Sequence, residues 1–417
     1  MNARMQGYRD HALSILKPTQ KEIAHGFALH TDSVVWDSYG FAPTAAIDGT
    51  LLKSAIESGA SPVELSDMVE EMGMTGMVKH PADQKEYFEA WEVSGVTCVF
   101  QNTGQEGNRI DRLVKRHARF TWTTDILRNK VSRAVCPEDV LLAKSSGRHC
   151  LYFTGNGVPM LEEWNTVEEE LRYIRVWFQL GCRMMHLTYN RRNMLGDGCA
   201  EPDDAGLSDF GRRVIEEMNR IGVIVDVAHS GLKSSLEAAK ASSRPMVASH
   251  STCRTLREHC RAKSDEVIRA IADTGGYIGI TCVPAFLGRT GDIAALLDHI
   301  DYVVKIVGVD HVAIGTDHGY GSSRASEEWA KVPSHNWGRS RWSGFWPKND
   351  PLFDKEWNDP MKEESLAWTN WPLFTVGLVQ RGYSDDDIRK IIGGNVMRVC
   401  RDVLTGTEFG FANALSV

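Results

Sequence analysis

The sequence lacks several features that would assign it to a common protein class. It has no basic excess, because 47 Lys and Arg stand against 55 Asp and Glu in 417 residues, a net charge of −8. Nucleic-acid binders need a basic surface to displace counterions, so we expect no polynucleotide partner. The stretch MNARMQGYRDHALSILKPT contains no long apolar run and no small-residue cleavage site. We therefore expect no signal peptide, no contact with a membrane and a cytoplasmic location.

Cysteine pairs and glycine-rich nucleotide motifs are absent as well. The nine cysteines are odd in number and scattered, without a CxxC pair, as is typical of proteins whose thiols stay reduced. No GxGxxG follows the first predicted strand, which argues against an open dinucleotide-binding sheet. A hydrophobic content of 42% with 24% charged residues is ordinary for a globular protein, so a sizeable core is expected.

The sequence does contain a regular alternation of strand-like and helix-like segments. Eight apolar runs are predicted as strands, at 27–36, 95–103, 149–155, 183–190, 223–230, 245–251, 277–284 and 311–319. Between them lie amphipathic segments with apolar residues three and four positions apart. Strands that alternate with helices are parallel, and eight such units close most naturally into a barrel. The predicted fold is therefore α/β, a (β/α)8 TIM barrel, with an open doubly wound sheet as the alternative.

The barrel is predicted to occupy residues 26–405. A helical extension, 1–25, would precede it, and a tail, 406–417, would follow it. The segment 320–370 is rich in Trp, Ser, Pro and charge and shows no clear periodicity. We interpret it as a long loop after the last strand, which covers the site or forms a subunit contact.

Polar and ionisable side chains recur at the ends of the predicted strands. The active site of such a barrel lies at the C-terminal strand ends, where these residues are candidates for function. The candidates are His30 and Asp32 from the first strand, Tyr189 and Asn190 from the fourth, His229 from the fifth, His250 from the sixth and Asp317 from the eighth. A single histidine is more often a structural core residue. Burying so many ionisable groups together would be costly without a metal ion or partners.

Imidazole and carboxylate ligands suit Zn²⁺ or a similar first-row divalent ion. Adjacent strands would bring His229 and His250 close enough to share one ion. His30 and Asp32 would lie on one face of their strand, because strand side chains alternate, and would hold that ion or a second one. Asp317 would take a proton from a metal-activated water and pass it to the leaving group.

Four stretches of the sequence, taken in order, resemble a known family. They are GLSDFGRRVIEEMNRIGVIVDVAHS, MVASHSTCRTLREHCRAKSDEVIRAIADTGGYIGI, HVAIGTDHGYG and RGYSDDDIRKIIGGNVMRV. The resemblance, to the membrane dipeptidase (renal dipeptidase) family or peptidase family M19, covers residues 26–405. It implies a barrel of the amidohydrolase type with two zinc ions that hydrolyses dipeptides, including some with a D-residue at the C-terminal position. It also implies a homodimer or higher homo-oligomer.

The resemblance assigns roles residue by residue. It implies that the first metal is bound by His30 and Asp32, the second metal by His229 and His250, and that the acid/base residue is Asp317. Arg261 matches an arginine that holds the substrate carboxylate, a task suited to the fork of a guanidinium.

Two positions depart from the family pattern. The family bridges its two zinc ions with a glutamate at the end of the third strand, where this chain has Thr154 and Asn156. Glu162 or Glu163 would have to reach back from the following loop, which we do not expect. Tyr189 stands where the family's peptidases have a histidine that binds the substrate. Its hydroxyl can donate a hydrogen bond to an oxyanion but brings no positive charge.

Three functions follow from these observations. We predict a metal-dependent hydrolase that cleaves a dipeptide or a similar small carboxylate-bearing amide and uses one or two zinc ions. The alternative is a divergent amidohydrolase or lyase that acts on a non-peptide metabolite. A non-catalytic binding barrel is the third reading, motivated by the missing glutamate and opposed by the set of ionisable residues that the chain keeps.

Overall fold

The computed structural model describes residues 1–104, 106, 110–161, 166–338, 342–357 and 359–407. Within these residues, one sheet of ten parallel strands forms the centre of the molecule. The strands are β1 (Trp36–Gly40), β2 (Cys98–Asn102), β3 (Val131–Ala134), β4 (His149–Gly155), β5 (Cys182–His186), β6 (Ile224–Asp226), β7 (Val247–Cys253), β8 (Ala262–Lys263), β9 (Tyr277–Ile280) and β10 (Val312–Ile314).

Eight of these strands form a nearly closed barrel in the order β1-β2-β4-β5-β6-β7-β9-β10, while β3 pairs with β4 and β8 pairs with β7. Backbone hydrogen bonds join the two ends of the sheet. Asp317 N donates to Tyr39 O over 2.9 Å, and Phe41 N donates to His318 O over 3.0 Å. The predicted TIM barrel is therefore confirmed, and seven of the eight predicted strands coincide with strands of the barrel.

Helices connect the strands and cover the outside of the barrel. Among the described residues, none is long and apolar enough to cross a membrane. The helices are α1 (Ala3–Leu16), α2 (Gln20–Asp32), α3 (Gly49–Glu57), α4 (Pro62–Lys79), α5 (Pro81–Ser94), α6 (Asp111–Ile126), α7 (Pro137–Ser145), α8 (Val167–Gln179), α9 (Asp209–Ile221), α10 (Leu232–Ala241), α11 (Asp265–Asp273), α12 (Pro284–Leu287), α13 (Ile293–Val307), α14 (Ala325–Trp329), α15 (Pro360–Ser365), α16 (Trp371–Gln380), α17 (Asp385–Arg389) and α18 (Asn395–Leu404).

The predicted first strand, 27–36, is wrong. Most of that segment belongs to α2, and β1 begins only at Trp36. A capping box starts the helix, since the Thr19 side chain accepts from the backbone of Glu22 and the Glu22 side chain accepts from the backbone of Thr19. The helix then continues through His30 to Asp32. Both residues therefore precede β1 and lie on the N-terminal side of the barrel.

The N-terminal end of the barrel is filled by apolar side chains. Trp36 stacks on Phe100 with ring centroids 5.5 Å apart, and the edge of Tyr152 packs against both rings. Residues of α18 belong to the same buried cluster, so the helix closes this end of the barrel. Because this end is closed and apolar, the polar chemistry of the interior is confined to the C-terminal rim.

The segment 320–370 does not form one continuous loop. It contains α14, α15 and short 3-10 turns at Trp342–Phe345, Pro351–Phe353 and Trp368–Asn370. Trp346 is buried and stacks on Phe286 at 5.5 Å, which places the stretch 342–357 over the C-terminal rim. We call this stretch the cap. The predicted tail at 406–417 lies outside the described residues from 408 onward.

Asp37 of β1 connects the first strand of the barrel to the residues that follow the last strand, β10. Its Oδ1 accepts from Thr316 N at 2.9 Å, and its Oδ2 accepts from Thr316 Oγ1 at 2.6 Å and from Trp368 Nε1 at 3.2 Å. Burial raises the pKa of Asp37 to about 7, against the opposing effect of these hydrogen bonds. Above that pH the carboxylate accepts hydrogen bonds from two other segments of the chain, at Thr316 and at Trp368.

We expect Asp37→Asn to lower the free energy of unfolding by about 1–3 kcal/mol at pH 8, since an amide nitrogen cannot accept from Trp368 Nε1. Trp368→Phe removes that donor, so the double variant should lose less stability than the two single variants together. Urea unfolding of the four proteins measures this difference. Fully additive losses would show that the two side chains do not interact.

Candidate functional site

The C-terminal rim of the barrel gathers buried polar side chains at the ends of β1, β5, β6, β7 and β10. The pairing register shifts at this rim in three strands, between Asp37 and Gly40, between Phe153 and Thr154, and between Ala248 and Ser251. Such bulges re-aim side chains and are frequent beside active sites. The rim residues include Tyr39, His186, Tyr189, Asn190, Asp226, His229, His250 and Arg261, all of them buried.

His229 and His250 face each other with their Nε2 atoms 2.9 Å apart. The Nδ1 atom of His229 lies 2.7 Å from Asn190 Oδ1, and that of His250 lies 2.8 Å from Ser249 Oγ. Because Asn190 Oδ1 only accepts, His229 Nδ1 carries the proton and its Nε2 presents a lone pair. Burial lowers the pKa of both rings well below the usual value, and the charge of Arg261 lowers it further. The pair is therefore neutral and able to bind a cation.

His186 and Asp226 lie beside this pair. They are register partners on β5 and β6, both fully buried, with His186 Nε2 2.7 Å from Asp226 Oδ2. Burial would raise the pKa of Asp226, but the charge of His186 and hydrogen bonds from Ser249 outweigh it, so the pKa is lowered. The ligand atoms of His186, Asp226 and His250 all lie within 4.8 Å of one another. This is a donor set for one metal ion.

Asp317 follows β10 with a backbone φ of 56°, a left-handed conformation that is uncommon outside glycine. Strained backbone of this kind is typical of functional sites. Burial raises the pKa of Asp317 to about 7, although the charge of Arg261 opposes the shift. The carboxyl group can therefore hold or release a proton near neutral pH.

Arg261 is buried beside the histidine pair. Its Nη1 donates to Ala228 O and its Nη2 donates to His250 O over 3.0 Å, while Nε has no hydrogen-bond partner among the described residues. The guanidinium lies 5.7 Å from the ring centre of Phe286. Its hydrogen bonds thus go to neutral carbonyls, which leave a buried positive charge able to attract an anionic substrate group.

Tyr189 and Asn190 are occupied by neighbours in the structure. The Tyr189 ring stacks on His229 with centroids 4.1 Å apart, and its hydroxyl accepts from Trp342 Nε1 over 3.1 Å. Asn190 has a left-handed φ of 57° and directs Oδ1 to His229, so it positions that ring. The cap residue Trp346 also packs edge-on against His229, with centroids 6.5 Å apart. The cap thus covers the site directly.

The structure does not bring His30 and Asp32 to the rim. His30 is buried, with Nδ1 2.8 Å from Thr375 Oγ1 and Nε2 2.9 Å from Ser94 O. The Asp32 side chain is 77% exposed and lies 3.5 Å from Arg389. The placement of these two residues as metal ligands is therefore wrong, because the segment that carries them is helical and precedes the first strand.

A two-ion centre does not fit the described residues. Where the resemblance implies a His-x-Asp pair, the end of β1 carries Tyr39 and Phe41. The Tyr39 ring stacks on His250 at 3.9 Å, and its hydroxyl donates to Asn156, which stands in place of the bridging glutamate. Glu162 and Glu163 lie outside the described residues. A single ion fits better, since the lone pairs of the histidine pair and a buried carboxylate converge nearby.

Sequence reasoning missed Tyr39, His186 and Asp226. The last two lie within segments that were predicted as strands, RMMHLTYN and VIVDVAHS. Their signal was an ionisable residue inside an apolar run, since such a residue is buried and needs a partner. Tyr39 offered no comparable signal, because its role depends on where β1 ends.

Comparison with known proteins relates the chain to dipeptidases. A family model described as membrane dipeptidase (peptidase family M19) matches residues 88–337. Dipeptidase tcpJ of Claviceps purpurea is 26% identical over 284 residues, which make up 67% of this chain and 57% of that protein. Dipeptidase aclJ of Aspergillus oryzae is 29% identical over 236 residues, 55% of this chain and 47% of that protein. The chain thus spans about half the length of the curated relatives it matches.

Among solved structures, an amidohydrolase from Pseudomonas aeruginosa is similar over nearly the whole chain. The identity is 28% and the TM-score 0.64, with 91% of this chain and 98% of that chain covered. The likeness agrees with the barrel described above.

The corrected positions of His30 and Asp32 make a prediction. His30→Ala should lower the free energy of unfolding by about 2–4 kcal/mol, since it leaves a cavity and two lost hydrogen bonds. Asp32→Ala should change it by no more than about 0.5 kcal/mol, because the ion pair is exposed. Urea unfolding and elemental analysis together test this. A folded His30→Ala protein that loses bound metal would restore His30 to the site.

Proposed function

Because the chain belongs to the membrane dipeptidase family, peptidase family M19, we propose that it hydrolyses the amide bond of a dipeptide or a similar small amide with a free carboxylate. One observation carries the proposal. The facing pair His229 and His250, the proton-accepting carboxyl Asp317 and the buried Arg261 meet at one rim of the barrel. These are the parts that metal-assisted hydrolysis of a small anionic amide needs.

His229 and His250 would hold the metal ion, which we propose to be zinc. A bound zinc ion supplies a Lewis acid and lowers the pKa of a water molecule to near neutrality. Asn190 and Ser249 contribute by fixing the two rings, because each forms a hydrogen bond with an Nδ1 atom and so directs the Nε2 atom toward the other ring.

Asp317 would move the proton of the reaction. With a pKa of about 7, it accepts a proton from the attacking water and returns it to the leaving amine without a large cost in either direction. Its left-handed backbone fixes the carboxyl group at the end of β10. Rigid placement of this kind lowers the entropy cost of proton transfer.

Arg261 would bind the carboxylate of the substrate. A buried guanidinium whose hydrogen bonds go to carbonyl oxygens is not neutralised by them, so an anion at this place gains Coulomb energy. The Tyr189 hydroxyl accepts from Trp342 Nε1 and would donate its own hydrogen to the scissile carbonyl. The cap would exclude water and limit the size of the substrate.

A divergent substrate is the second candidate. It is favoured by Tyr39, Phe41 and Asn156, which remove the ligands of the first ion that the resemblance implies. A chain so altered would act on an amide, or by elimination on a metabolite, that a single ion can activate. Metal binding without cleavage of any dipeptide would support this candidate.

We also propose that the chain forms a homodimer or higher homo-oligomer and acts in the cytoplasm. The exposed rings of Trp342 and Phe353, with centroids 5.9 Å apart on the cap, support the first of these proposals. Sedimentation analysis would measure the oligomeric state.

The hydrolysis test compares a panel of L,L and L,D dipeptides with the same compounds amidated at the C-terminus. We expect release of free amino acids from the unmodified dipeptides, and a kcat/KM at least tenfold lower for the amidated set because Arg261 loses its anion.

Asp317→Asn should lower kcat by about 10²–10⁴-fold. Asp273→Asn, an exposed carboxylate at the end of α11, is the matched control. Full turnover by Asp317→Asn would reject the proton-transfer role.

The pH dependence follows from the raised pKa of Asp317. Below pH 7 the carboxyl group is mostly protonated and cannot accept a proton, so kcat/KM should fall about tenfold per pH unit there and level off above pH 7. Initial rates between pH 5 and 9 measure the profile. A flat profile across neutral pH would contradict Asp317 as the base.

A further inference from the structure

One oxygen of Asp226 accepts two backbone hydrogen bonds, and the other contacts only His186 among the described residues. Oδ1 accepts from Ala228 N over 2.9 Å and from Ser249 N over 3.1 Å. Oδ2 forms a buried ion pair with His186 Nε2 at 2.7 Å, and it has no other partner among the described residues. A fully buried carboxylate needs a positive charge beside it, which a protonated His186 or a metal ion bound by both side chains supplies.

His186 is in the same condition. It is fully buried at the end of β5, its Nε2 contacts only Asp226, and its Nδ1 makes no hydrogen bond within the described part of the chain. A ring nitrogen left without a hydrogen bond in the interior costs about 1–3 kcal/mol. A chain that retains it there gains from a partner that the protein atoms themselves do not supply.

The three imidazoles form a nearly equilateral triangle. The ring centroid of His186 lies 5.3 Å from that of His229 and 5.3 Å from that of His250, and the latter two are 5.0 Å apart. With zinc–nitrogen bonds near 2.1 Å, three rings around one tetrahedral ion have centroids about 5 Å apart. Ring spacing and the 4.8 Å limit on the ligand atoms of His186, Asp226 and His250 thus agree with one shared ion.

The surrounding residues brace this arrangement. Ser249 binds both His250 Nδ1, through its hydroxyl, and Asp226, through its backbone N–H. Tyr39 stacks on His250, and its hydroxyl is held by Asn156. The space that the first ion of the resemblance would need is therefore occupied, while His186 and Asp226 on the other side contact each other and offer ligand atoms.

We propose that His186 and Asp226 are further ligands of the single ion that His229 and His250 would hold. The ligand set is three imidazoles and one carboxylate, which suits zinc or another first-row divalent cation and disfavours Mg²⁺ and Ca²⁺. The chain has thus moved its metal site toward β5 and β6 and does not use the ligands that the resemblance implies at β1. This inference rests on the metal site of the proposed function and not on the cleavage of amides.

The test is a titration of chelator-treated full chain with Co²⁺, followed by visible absorption, with Zn²⁺ as competitor. We expect one Co²⁺ per chain with the strong bands of a four-coordinate ion. His186→Ala and Asp226→Asn should each weaken Co²⁺ binding by about 100-fold or more, since each removes a direct ligand. His299→Gln is the matched control, a buried histidine that binds the backbone of Cys253 and Leu287.

Unchanged Co²⁺ affinity in a folded His186→Ala or Asp226→Asn protein would overturn the proposal, as would a wild-type chain that binds no Co²⁺. Where a variant fails to fold, X-ray absorption of the zinc-loaded wild type decides. Three imidazole scatterers support the ligand set, and two contradict it. If the chain binds metal in this way but cleaves no dipeptide, the proposed function is rejected and this metal site is retained. If the chain cleaves dipeptides but both variants bind Co²⁺ as tightly as the wild type, the metal site is rejected and the proposed function is retained.

Discussion

A single buried carboxylate organises the C-terminal rim of this barrel. Asp226 accepts backbone hydrogen bonds from Ala228 and Ser249 and contacts His186. These contacts fix the turn that leads to His229, the residue that precedes His250, and the end of β5. The Asp226 side chain thus positions the imidazoles that follow or end three neighbouring strands. The positions of the rings are set before any ligand binds, which is what a metal or catalytic site requires.

The interior of the barrel has an apolar end and a polar end. Aromatic and apolar rings fill the N-terminal end, and the polar groups are confined to the rim. Tyr39 and Asn156 occupy one side of the rim, and Asp317 and Arg261 lie beside the histidines. The cap covers these rim residues, with Trp342 in contact with Tyr189 and Trp346 in contact with His229. The result is a small covered site with ligand atoms for one metal ion, one proton acceptor and one buried positive charge, and electrostatic interactions are strong in such a site.

Much of this arrangement can be predicted from the sequence, but part of it cannot. The alternation of strands and helices predicts the barrel, and His229 and His250 end strands whose apolar runs are unmistakable. His30 and Asp32 were misplaced because FALHTDSVVW has an apolar pattern that fits a strand, whereas the capping box at Thr19 extends a helix through it. His186 and Asp226 depend on strand register and on bulges at the rim, which side-chain alternation alone does not determine.

The number of metal ions per chain tests the central claim most directly. Elemental analysis of protein purified without chelator, and again after dialysis against excess zinc, gives this number. We predict one ion in both preparations, because Tyr39, Phe41 and Asn156 replace the imidazole and carboxylate ligands that would hold a second. Two ions per chain would contradict it, and would mean that residues outside the described ranges complete the centre that the family resemblance implies.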